Sequence, residues 1–112
     1  MSAAPDAPEF RAHMEHAAEA IAKARRFSEA SIELSMQQLE VEQARLGLGH
    51  TSPRRLALEI AQHYALVGIE HLQAGRALLH ADNPAIEQAD AALLMTAALQ
   101  RRIEDELTQL AN

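Results

Sequence analysis

Apolar residues recur at steps of three and four along three stretches of the chain, the spacing of amphipathic helices. In the first stretch Phe10, Met14, Ala17, Ile21, Ile32, Met36, Leu39 and Leu46 share one sector of a helical wheel. From its middle onwards a second row, Phe27, Leu34, Val41 and Leu48, runs on the opposite side at steps of seven. In the next stretch Leu56, Ile60, Tyr64, Val67, Ala74 and Leu78 form one face, and Leu58, Ala65, Ile69, Leu72 and Leu79 another. The third stretch has a single row, Ile86, Ala89, Leu93, Thr96, Ile103, Leu107 and Leu110, widened by Leu94, Met95 and Leu99.

Punctuation between these stretches sets the predicted boundaries. Asp6-x-x-Glu9 reads as a capping box with Pro8 in the first turn, and no further Gly or Pro occurs until Gly47. Ser52-Pro53 and Asn83-Pro84 are N-cap signals followed by proline. The pattern predicts an all-α, antiparallel bundle of three helices over about 7–47, 53–80 and 84–110, one domain across 1–112 with a flexible N-terminus at 1–6. An unbroken first helix has a length of roughly 60 Å, against about 42 and 40 Å for the other two. Some 15 to 20 Å of it, on the order of three helical turns, must therefore protrude or fold back at a kink near Arg25 to Ser28, where Ser28 is the local stop signal.

Two opposed apolar rows on one helix are more than a three-helix monomer needs to bury. The reading is completion by oligomerisation, with Phe27, Leu34, Val41, Leu48, Leu58, Ile69 and Leu72 as the interface and a homodimer as the simplest closed form. Met36 and Met95 offer adaptable packing. Gly68 and Gly75, seven apart inside the second predicted helix, each cost about 1 kcal/mol relative to Ala, which points to a close helix crossing there.

Composition narrows the function. The 112 residues are 48% hydrophobic and 3% aromatic, with a formal charge of -6 and no Cys. The acidic balance argues against nucleic acid as a partner. Absent Cys, neither a disulfide framework nor a thiolate site is available. The arginine pairs Arg25-Arg26, Arg54-Arg55 and Arg101-Arg102 precede acids at helical spacing, as in Arg55 to Glu59 and Arg102 to Glu106, and read as solvated ion-pair faces. The first ten residues lack the charge and apolar pattern of a secretory signal, and the longest apolar run, Tyr64 to Ile69, is too short for transmembrane insertion. A cytoplasmic location is the expectation.

Chemistry-bearing patterns are sparse. Six histidines form the most unusual polar feature. His13, His16 and Glu19 lie at steps of three, while Glu59, His63 and Glu70 share one side of the second predicted helix with His71 beside them. These make His63, Glu59, Glu70, His71, His13 and His16 the candidate metal ligands, although the Glu-x-x-His motif of di-iron bundles is missing. The glycines form no phosphate-cradling loop and the serines no nucleophile elbow, so neither a cofactor nor an enzyme activity is expected. The leading expectation is a non-enzymatic protein-interaction module, a small homo-oligomeric adaptor, chaperone or coat protein that binds itself or a partner protein. The alternative is a His/Glu-based metal or ligand sensor.

Ala22-Lys23-Ala24, the run from Glu29 through Leu39 and the helix opened by Ser52-Pro53 also resemble phasins, the helical proteins that coat storage granules. The likeness covers Ala20 to about Leu79, half of the chain. It implies a granule-surface coat with no catalytic residues.

Overall fold

The computed structural model describes residues 7–29 and 36–111. It contains four α-helices: α1 (Pro8–Ser28), α2 (Met36–Leu46), α3 (Pro53–Ala77) and α4 (Ala85–Ala111). No strand occurs among the described residues, and the molecule measures 48 × 25 × 22 Å.

The predicted first helix is therefore two helices, and the three-helix bundle is corrected to four. α1 opens at Pro8, whose missing N–H is no loss in the first turn, with Glu9 near the positive helix end and Arg25 and Arg26 near the negative one. The expected cap, Asp6, lies outside the described residues; at the observed N-cap, Ala7 has no side chain to offer. α1 stops where the sequence placed its weak point. The Ser28 hydroxyl donates to the Arg25 carbonyl at 3.1 Å, competing with the helical ladder. Glu29 turns extended at ψ 119, and its N–H bonds to the same carbonyl. Arg54, at the start of α3, donates to the Ser28 carbonyl at 2.9 Å and also pairs with Glu106 of α4, so one guanidinium ties three helices together.

α2 ends in a Schellman motif. Gly47 adopts φ 68, Leu48 N–H bonds to the Gln43 carbonyl at 3.0 Å and Gly47 N–H to that of Ala44 at 3.4 Å. The predicted Ser52 cap is present, with its hydroxyl accepting from Arg55 N–H at 3.3 Å. At the next connector the Asn83 side-chain oxygen accepts from Ala85 N–H at 2.9 Å and starts α4.

α3 is the central element. α1 lies along one side of it, α4 along the other, and α2 packs over its N-terminal half. Both of its apolar faces are covered within one chain: Leu56, Ile60 and Tyr64 are buried, and so are Leu58, Ala65, Leu72 and Leu79. Ala20, Ala24 and Phe27 from α1, Leu39 from α2, and Leu99 and Ile103 from α4 complete the main cluster. The glycines mark the predicted close crossing. A Cβ added to Gly68 would sit 2.9 Å from Cγ1 of Ile21, and one added to Gly75 would run into the Met14 methyl group. Small alanines line the facing side of α1, with Ala17 and Ala24 both fully enclosed.

Candidate functional site

Burying Ala89, Thr96, Leu99 and Ile103 against α3 fixes which side of α4 faces outward. That side carries Glu87, Ala91, Leu94, Met95, Ala98, Arg101 and Arg102, all exposed and all within one third of the helical wheel. At its centre Leu94 is 77% and Met95 62% exposed, the two most exposed large apolar side chains among the described residues. Leaving a Leu and a Met side by side in water forgoes about 1.5 to 3 kcal/mol for each relative to full burial. Beside them a shallow groove separates α4 from the C-terminal end of α1, lined by Arg25, Glu29, Met95, Leu99 and Arg102.

A second irregular region lies where α2 covers α3. The Tyr64 hydroxyl donates to the buried Glu42 carboxylate at 2.6 Å, Arg45 stands 3.8 Å from the other oxygen, and the Lys23 ammonium sits 4.9 Å from the Tyr64 ring centre. Burial pushes the Tyr64 phenol above its ordinary pKa, and its hydrogen bond to the Glu42 anion pushes the same way against the opposing pull of Arg45. Above this network a groove of about 300 Å³ opens between α1 and α2, with Lys23, Arg26, Phe27 and Val41 in its walls. Spacing analysis missed Glu42, because a contact between residues 22 apart follows from the fold-back of α2.

The sequence-predicted metal ligands are split. His13 and His71 meet across the α1–α3 crossing with their Nδ1 atoms 3.1 Å apart, and the His16 ring stacks on His71 at 5.0 Å between centroids. The remaining three lie elsewhere. Glu59 pairs with Arg55 at 3.2 Å, His63 is exposed with its ring edge-on to Tyr64, and Glu70 is exposed. Among the described residues no group of three or more His, Asp or Glu side chains is placed to hold a metal ion.

The sequence-predicted interface changes more. Phe27, Leu58 and Leu72 are buried inside the single chain, because Phe27 shares the inward face of α1 with Ala20 and Ala24, and α1 and α4 cover α3 from both sides. Ile69 is half-buried, and Leu48 packs against the core. Val41 is 52% exposed, while Leu34 lies outside the described residues. The surplus apolar surface expected from the rows of the first two predicted helices is thus mostly absorbed internally. The surface left over lies chiefly on α4, with Met36 and Val41 on α2 and Leu66 on α3 as smaller shares.

Of the predicted arginine pairings, Arg55 to Glu59 forms, whereas Glu106 is taken by Arg54 instead of Arg102. Among the described residues no helix is long and apolar enough to cross a membrane. Comparison with protein-family models, with curated proteins and with solved structures finds no match to this chain.

Proposed function

We propose that this protein is a non-enzymatic helical interaction module whose working surface is the outer face of α4. One observation carries the reading: Leu94 and Met95 stand adjacent and exposed on a rigid helix whose other face is anchored in the core. A helix presenting apolar anchors at i, i+3 and i+4 is a common means of docking another helix.

The test places a photo-crosslinking side chain at Leu94, and in a control at Glu104 of the same helix, which is exposed but lies outside that third of the wheel. Adducts are collected from concentrated pure protein and from cell extract, then identified by mass spectrometry. One recurrent polypeptide attached at 94 and not at 104, whether this chain or another, is the expected result. Adducts that are absent or equally scattered from both positions overturn the reading, and with it protein docking on this face; an apolar granule surface, as in the phasin resemblance, would give that outcome.

A metal or ligand sensor is the second reading, favoured by the 3.1 Å approach of His13 and His71. Two imidazole nitrogens that close match the span of two ligands on one transition-metal ion. Untagged protein that neither retains nor regains Zn2+, Ni2+ or Cu2+ rules it out.

A further inference from the structure

We infer that the occupant of the α4 outer face is a second copy of α4, docked antiparallel about a two-fold axis passing between Leu94 and Met95. This rests on the interaction-module reading and names its partner. The argument is the symmetry of the exposed residues. Ala91 stands three positions before Leu94 and Ala98 three after Met95; Glu87 stands seven before and Arg102 seven after. All six are exposed on the same side of the helix.

An antiparallel pair in this register sets Leu94 against the partner's Met95, Ala91 against the partner's Ala98 and Glu87 against the partner's Arg102, with each contact repeated by the axis. Small alanines on both sides of a Leu-Met centre allow the helix backbones to approach closely while the larger side chains interdigitate. Opposite charges close the two ends of the seam. A parallel pair instead opposes Glu87 to the partner's Glu87 and Arg102 to the partner's Arg102, so charge selects the direction. Neither Glu87 nor Arg102 forms an ion pair among the described residues, which leaves both for a partner. The exposed face of α2 shows no comparable internal symmetry in Met36 and Val41.

Self-complementarity of this kind has a test that a different partner cannot mimic. Sedimentation equilibrium of the full chain over a wide concentration series is expected to show a monomer–dimer equilibrium, and Leu94→Asp to raise its dissociation constant at least about tenfold. Glu87→Arg alone and Arg102→Glu alone each face like charges across the seam and weaken self-association about three- to tenfold. A mixture of the two single variants forms a heterodimer in which every Arg meets a Glu, and it is expected to associate as tightly as the wild type. The double variant Glu87→Arg/Arg102→Glu is expected to do the same. All three positions are exposed, and circular dichroism of each variant verifies that its helix content is unchanged. A wild-type chain that stays monomeric throughout, single reversals that dimerise normally, or a mixture that fails to regain affinity overturns the inference. In that event a recurrent foreign adduct at position 94 still upholds the interaction module, whereas loss of all adducts removes both.

Discussion

The Tyr64 hydroxyl and the Glu42 carboxylate, 2.6 Å apart and 22 residues apart in sequence, form a buried side-chain hydrogen bond between α2 and α3. Its burial makes it consequential, because a carboxylate withdrawn from water must keep its partners. Around it Lys23 adds a cation over the phenol ring and Arg45 a second charge near the acid.

Tyr64→Phe keeps the ring and removes the donor, leaving Glu42 with Arg45 at 3.8 Å as its remaining charged neighbour. The expected cost is about 1 to 3 kcal/mol, read from urea or thermal unfolding. Glu42→Gln still offers the phenol an acceptor and should cost less. A larger loss from Glu42→Gln than from Tyr64→Phe would show that the carboxylate charge, and not the hydrogen bond, sets the energy.

Alkaline pH should weaken the fold through the same phenol. The folded-state pKa of Tyr64 is raised above the ordinary 10.0, so the unfolded chain loses this proton first and binds fewer protons at high pH. The contribution is fully present below the unfolded value and is lost as pH rises through the folded one. With one Tyr and no Trp in the chain, tyrosinate absorbance follows this group alone. The titration midpoint should lie higher in buffer than in denaturant, and coincident midpoints would contradict the burial described.

The two glycines of α3 should respond differently to the same substitution. Gly68→Ala drives its methyl against Cγ1 of Ile21, near a stiff β-branched centre, and should destabilise on the order of 1 kcal/mol despite the better helix propensity. Gly75→Ala meets the terminal methyl of Met14, which has rotamers to retreat into, and should be neutral or gain up to about 1 kcal/mol. Melting temperatures in the reverse order would place the tight crossing at the wrong end of α3.

Much of this architecture was legible in the sequence. Ser52-Pro53 and Asn83-Pro84 mark real helix starts, because their cap chemistry is local. The spacing of Gly68 and Gly75 correctly points to a close crossing, since two helix-interior glycines need a packing reason. The break after Ser28 was visible only as a weak point: the residues between Phe27 and Gly47 include neither Gly nor Pro, so nothing local forbids a continuous helix. Once α1 ends there, the row from Phe27 to Leu48 ceases to be one face, and Phe27 is enclosed while Val41 is not. Where apolar surface is left exposed depends on which helix lies in the middle. α3 takes that place and hides most of both its rows, leaving the most exposed apolar side chains on α4, where Leu94 and Met95 read only as a widening of the buried row.

α2 approaches α3 alone among the described helices, whereas α3 is flanked by three. Eleven residues held chiefly by Leu39, Glu42 and the turn at Gly47 have far fewer anchors than the helices beneath them. Detaching this segment therefore takes less free energy than melting the whole molecule, and its backbone amides should exchange with solvent deuterium ahead of those of α3. The N-terminal half of the central helix is thus shielded by the piece of the protein that lifts away most easily.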